Sequence, residues 1–141
     1  MTKTFRILAL MVVVLCAFAI RAEAKPKKTV VYMFGLSVDF ADSLLIATDI
    51  QRMDPVFIES KTGFLYDRSI YSQQLQIYVE QEMGRPMTTC TVFFSKNARK
   101  LEKMLVKVYN KAKKKEGLRI EPMMRGQFRF VPEEWTEHEK I

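Results

Sequence analysis

The fold is decided by the stretch MTTCTVFFSKNARKLEKMLVKVYNKAKKKEGLRIEPMM, Met87 to Met124. In its first part Cys90, Val92 and Phe94 recur at every second position and would share one face, which predicts a strand. Its last part, Leu118 to Met124, predicts a second strand. The segment between them has apolar residues at helical spacing, with Ser95 placed to cap the helix and Gly117 placed to end it. A strand, a helix and a strand in succession predict a right-handed crossover unit whose two strands pair in parallel.

Three more elements precede this unit. Thr29 to Val38 is rich in β-branched and aromatic residues and predicts a buried strand. Asp42 to Asp54 alternates as a strand does, although a short helix also fits. We favour a strand that stops at Asp54 because Pro55 follows it. Asp67 is placed to cap a third element, a helix that Gly84 ends, through its carboxylate.

The predicted order is therefore β-β-α-β-α-β, with Gln127 to Val131 as a short final strand near an edge. This order predicts an α+β fold. We expect a two-layer α/β sandwich whose mixed sheet has four to five strands and carries both helices on one face. Residues 25–131 would form a single domain, followed by an acidic tail at 132–141. Because this architecture serves many functions, it decides nothing about activity.

The N-terminus has the pattern of a secretory signal peptide over residues 1–24. Lys3 and Arg6 precede an apolar run from Ile7 to Ile20, and an Ala-x-Ala ending predicts cleavage after Ala24. The run has 14 residues, fewer than the ~20 needed for a membrane-spanning helix. An uncleaved anchor is the alternative. We expect an exported protein of the periplasm or cell envelope, or a secreted one.

The residues for catalysis or metal binding are few. Without the leader, Cys90 is the only cysteine, so no disulfide is expected, and its place in a strand predicts a buried, inert thiol. His138 is the only histidine, which disfavours zinc and a Ser/His/Asp set. We expect no catalytic residue, metal or cofactor. A hydrolase that uses two carboxylates is the third hypothesis, and its candidates are Asp39, Asp49, Glu59 and Glu80.

Aromatic residues cluster around the middle loop and the first helix. Large rigid rings beside arginine are typical of recognition surfaces. We predict that this region binds a protein or another component of the cell envelope. The alternative is that the rings only cover the edge of a small core. The predicted partner-binding residues are Phe57, Phe64, Tyr66, Arg68 and Tyr71.

A row of lysines marks the second helix, on the side opposite its apolar stripe. Such a face suits an anionic lipid or polysaccharide, which would make contact with the membrane peripheral. It equally suits a solvated helix surface, or a cover formed by Glu133 and the other tail glutamates. Nucleic acid is not expected, because no aromatic platform interleaves with the lysines. The predicted polyanion-binding residues are Lys100, Lys103, Lys107, Lys111 and Lys114.

Three short motifs carry a resemblance to a known group. TDIQ at Thr48–Gln51, KTGFLYDR at Lys61–Arg68 and YSQQL at Tyr71–Leu75 resemble short exported proteins of the Bacteroidetes type without assigned function. The resemblance implies a stand-alone exported domain with a strand at LLIATDIQ, and it brings no catalytic residue. The leading prediction is thus a non-enzymatic exported protein that binds an envelope partner, with its oligomeric state open.

Overall fold

The computed structural model describes residues 3, 4, 6–11 and 26–133. Residues 3, 4 and 6–11 are helical and exposed. The predicted cleavage after Ala24 and most of the acidic tail lie outside the described residues. Across the part that is described, no helix combines the length and the apolar character needed to cross a membrane.

The predicted α+β class and mixed sheet are confirmed, and the sheet, predicted with four to five strands, has five. Two helices, α1 and α2, pack on this sheet. In chain order the elements are β1 (Pro26–Asp39), β2 (Leu44–Ala47), β3 (Gln51–Glu59), α1 (Arg68–Gln81), β4 (Thr89–Ser95), α2 (Ala98–Lys114) and β5 (Arg119–Pro122).

A long hairpin forms the centre of the sheet, with β1 as one arm and β2 followed by β3 as the other. Tyr32 and Met33 of β1 pair with both β3 and β4, and Leu36 of β1 pairs with both β2 and β4. Since a strand has only two edges, β2 and β3 follow one another along one edge of β1, and β4 occupies the other. The segment from Asp42 to Asp54, predicted as one strand, is divided between two: β2 ends at Ala47, and β3 begins at Gln51 and continues past Pro55. Val30 faces two residues of β3 there, and such a bulge tolerates the missing proline N–H.

The crossover unit is arranged differently from the prediction. Its strands β4 and β5 do not pair, although they run in the same direction. Both run opposite to β1: β4 pairs with β1 antiparallel, and β5 is parallel to β2, which is itself antiparallel to β1. Instead β5 pairs in parallel with β2, so β1 and β2 lie between the two strands. The connection through α2 therefore crosses two strands rather than joining neighbours.

The helices lie on opposite faces of the sheet, which corrects their predicted placement on one face. α1 packs Leu75 and the rest of its apolar stripe against Met33 and its neighbours. α2 packs Leu101 and Ala112 against Phe34 and its neighbours. Because successive strand residues point to opposite faces, Met33 and Phe34 divide the core into two layers. The sheet is covered on both sides.

Three local predictions are wrong. Asn97, not Ser95, caps α2, and its side chain accepts from the backbone N–H groups of the first turn. Asp67 precedes α1 but lies in the left-handed region at φ 58°, and its carboxylate makes no capping bond, because a capping side chain needs an extended backbone. Gln127 to Val131 forms no strand, because glutamine side chains rather than a neighbouring strand bond its backbone.

Candidate functional site

Tyr71 belongs to the core and not to a partner surface. It is 1% exposed, and its ring contacts the Phe130 ring edge to face, with centroids 6.3 Å apart. Its hydroxyl accepts a 3.0 Å hydrogen bond from the Glu133 N–H. Burial raises the pKa of Tyr71 above its ordinary value of 10.0. The prediction that Tyr71 binds a partner is therefore wrong, because the spacing that placed it on a helix face placed it on the buried face.

Arg68 contacts its own chain. Its guanidinium donates a 2.6 Å hydrogen bond to the carbonyl oxygen of Val92, and it lies 5.9 Å from the centroid of the Phe94 ring. Both contacts are to β4. The arginine thus links the start of α1 to the sheet, and a partner would have to compete with these bonds.

The other three predicted aromatic residues lie on a small hairpin that extends β3. The Glu59 N–H donates to the Phe64 carbonyl at 2.8 Å, and the Tyr66 N–H donates to the Phe57 carbonyl at 3.0 Å. Gly63 makes the turn at φ 72°, a conformation that favours glycine. Phe57 and Tyr66 are half-buried, whereas Phe64 is 69% exposed. The aromatic surface is therefore centred on Phe64.

Two glutamine side chains hold the segment that was predicted as a final strand. The Gln51 amide donates to the Phe128 carbonyl and accepts from the Phe130 N–H, both at 2.9 Å. The Gln74 amide contacts Val131 in the same way, at 3.0 and 2.9 Å. Each amide replaces a strand as the partner of the backbone. We call residues 128–131 the strap, because Phe128 and Phe130 close the core under α1.

The lysine face of α2 is defined by the five lysines predicted above, and all five are exposed. The opposite side of the helix supplies Leu101 and Ala112 to the core, with Leu105 and Val108 partly buried beside them. The helix is therefore oriented as its amphipathic pattern predicts.

No carboxylate neutralises this face within the described residues. None of its lysines forms an ion pair there, since the three ion pairs found all involve arginine. Glu133, the one tail glutamate that is described, contacts Gln74 and Tyr71 of α1. It therefore lies on the other side of the sheet from the lysines. Glu133 therefore does not cover the lysine face. The other tail glutamates lie outside the described residues.

An apolar groove of about 200 Å³ lies between the C-terminal half of α2 and the sheet. Leu36, Val38, Leu45 and Phe93 of the strands form its floor, and Val108 and Ala112 form its helical wall. Lys111 and Glu116 stand at its opening. Sequence reasoning missed this groove. Its signal was the change from leucine at 101 and 105 to the smaller Val108 and Ala112, which leaves space beneath the last turns.

The four carboxylates proposed for a hydrolase are not gathered in one place. Asp39 accepts from Arg85 at 2.9 Å. Asp39 lies at one end of the hairpin and Glu59 lies at the other end. Asp49 accepts from Gln51, and Glu80 accepts from Gln76. Among the described residues no three His, Cys, Asp or Glu side chains form a group suited to a metal ion. Cys90 is half-buried and donates to the Ser37 hydroxyl at 3.3 Å.

Comparison of the chain with known protein families, with curated proteins and with solved structures found no match. The resemblance to exported proteins of the Bacteroidetes type stays a prediction.

Proposed function

We propose that the chain is an exported, non-enzymatic protein that attaches to an anionic lipid surface of the cell envelope through the lysine face of α2. The observation that carries the proposal is that five lysines share one exposed helix face with no carboxylate partner in the described structure. Unpaired ammonium groups keep their full attraction for a charged surface.

The size of the attraction is sufficient for reversible attachment. Each lysine near an anionic membrane contributes about 1 kcal/mol, and the contribution falls with salt. Five lysines on one face can approach a flat surface together, because α2 lies on the outside of the sheet. The mechanism needs no conformational change.

The test compares two variants of the full-length chain in sedimentation with vesicles of anionic and of neutral lipid. The first replaces Lys100, Lys103 and Lys107 with Gln. Removing three attractions of about 1 kcal/mol each should lower partitioning into anionic vesicles roughly a hundredfold at low salt. Lys111 is left unchanged because it also borders the groove.

The control variant replaces Lys28, Arg125 and Arg129 with Gln, which removes the same charge from exposed positions on other elements. It should partition almost as the parent does, and both variants keep the apolar N-terminus. Equal losses in the two variants would show that only net charge matters and would refute a dedicated face. Competition by a soluble anionic polysaccharide in place of vesicles would move the proposal to that polymer.

A second candidate function is partner binding through the hairpin at residues 57–66. The exposure of Phe64 at 69% on a defined turn supports it, since an exposed ring on a rigid support binds at little entropic cost. Retention of the tagged chain on an envelope extract should fall when Phe64 is replaced by Ala. Met87→Ala is the matched control, because Met87 is another exposed apolar residue, at 81%. Equal retention of both variants would remove this candidate.

A further inference from the structure

We propose that the groove under α2 binds the alkyl chain of a single-chain carboxylate, with the head group beside Lys111. The groove takes one small molecule at a time, so this inference goes beyond attachment to a surface. Either proposal can fail without the other, because the groove and the residues tested for attachment do not overlap.

The lining selects an alkyl chain over a peptide. Six apolar side chains form the floor and the helical wall of the groove, and charged groups occur only at its opening. The floor belongs to β1, β2 and β4, and each edge of β1 and β2 is already paired. A bound peptide would therefore find few partners for its N–H and C=O groups, and unpaired buried amides are costly. An alkyl chain has no such groups.

The volume argues against a second copy of the chain. A groove of about 200 Å³ accepts a chain segment or one large side chain. A stable dimer needs about 800 Å² of surface from each partner, far more than such a groove offers. A ligand that fills the groove alone is the better fit.

The charges at the opening indicate the sign of the head group. Lys111 is the basic residue that lines the opening, so the head group of a ligand there meets a positive charge. Glu116 opposes a carboxylate, but it follows three consecutive lysines at 113–115. The local balance is positive, and a carboxylate beside Lys111 is favoured.

The experiment is calorimetric titration of the full-length chain with hexanoate, octanoate and decanoate below their micelle-forming concentrations, and with octanol. Each added methylene that enters the groove should raise the affinity roughly fourfold, and the gain should stop when the groove is full. Octanoate should bind more tightly than octanol, because only the carboxylate interacts with Lys111.

Four variants locate the ligand. Lys111→Gln should weaken octanoate binding several-fold and leave octanol binding unchanged, whereas Glu116→Gln should strengthen octanoate binding. Lys103→Gln is the control on the same helix and should change neither. Val108→Trp should abolish the binding of every chain length by filling the groove, with folding checked by circular dichroism.

Several results would overturn the proposal. They are the absence of binding by any chain, equal binding of octanol and octanoate, or weaker octanoate binding in Glu116→Gln. Concentration-dependent dimerisation that Val108→Trp removes would assign the groove to a second copy instead. Loss of vesicle attachment in the variant of Lys100, Lys103 and Lys107, with octanoate binding intact, would support the groove ligand independently of the surface.

Discussion

Arg68 donates to the backbone carbonyl of Val92, the group with which a further strand beside β4 would form a hydrogen bond. Gly35, the register partner of Val92 in β1, directs both its N–H and its carbonyl to Thr48 on the opposite side. Val92 therefore cannot exchange hydrogen bonds with Gly35, and its carbonyl points to the outer edge of β4. The Arg68 guanidinium satisfies that carbonyl at 2.6 Å. A charged side chain laid along an open edge is a known protection against pairing between chains.

The first prediction concerns this edge. Arg68→Ala should lower the free energy of unfolding by about 1–3 kcal/mol, because it leaves the Val92 carbonyl without a partner. It should also increase self-association, since the edge becomes available. Arg68→Lys should recover part of both effects, because an ammonium can still donate. Urea unfolding and sedimentation velocity measure the two; an Arg68→Ala chain that is as stable and as monomeric as the parent contradicts the assignment.

The second prediction concerns the strap. Gln51→Ala should speed hydrogen exchange at the Phe130 amide and lower the free energy of unfolding by about 1–3 kcal/mol, because two buried backbone groups lose their partner. Gln74→Ala should speed exchange at Val131 instead.

Gln76→Ala is the control for the strap, since the Gln76 amide donates to the half-buried Glu80 carboxylate on the same helix and makes no hydrogen bond to the strap. If the Phe130 amide exchanged at the parent rate in Gln51→Ala, the aromatic packing alone would hold the strap.

The third prediction concerns the space around Gly35. A Cβ at Gly35 would lie 2.6 Å from Leu75 Cδ2 and 2.9 Å from Phe130 Cζ. Gly35→Ala should therefore destabilise the fold by about 1–3 kcal/mol, since both side chains are buried and must move. In a chain that also carries Leu75→Ala the cost should be smaller, because the nearest atom is gone. Chemical denaturation of the four proteins of this cycle measures the coupling, and strictly additive losses would exclude the clash.

The fourth prediction concerns pH. Burial alone would raise the pKa of Asp39, but bonds from Arg85 and from the N–H groups of Asp42 and Ala41 outweigh it and hold the pKa below 3.8. A carboxyl with a lowered pKa stabilises the fold above its ordinary pKa, and this stability is lost as pH falls through the lowered value.

The measurement is the melting temperature of the parent and of Arg85→Gln between neutral pH and the acid range. Arg85→Gln should melt lower than the parent at neutral pH, and the difference should shrink below the ordinary Asp39 pKa of 3.8. A difference that stays constant into strong acid would show that Arg85 acts through packing rather than through Asp39 and Asp42, whose carboxylates both accept from it.

Most element types followed from local patterns, with the exception of the final strand at Gln127 to Val131, and their arrangement did not. The alternation in β4 and the helical stripes of α1 and α2 predicted those elements within a few residues. The faces on which the helices pack were predicted wrongly, although β1 carried the signal. Met33 and Phe34 are consecutive and both fully buried, which is typical of a strand covered on two sides.

In the candidate sites, too, features with a local sequence pattern were predicted and features that depend on packing were not. Exposure of the lysine face followed from helical spacing, whereas the burial of Tyr71 depended on which side of α1 meets the sheet. The roles of Gln51 and Gln74 have no local signal, because their partners lie 57 to 79 residues away in the chain. Polar side chains that take the place of a strand are found only when the two segments are seen together.

The position of the strap also bears on when the protein can finish folding. Phe128 and Phe130 enter the core beside residues of β1 that are synthesised almost a hundred positions earlier. A nascent chain that has reached only Gly126 lacks the rings that close the layer under α1 and the backbone groups that satisfy Gln51. The core layer under α1 is therefore completed only by a late segment. Under the export proposed above, such a delay would keep the chain open while it passes through a secretion channel.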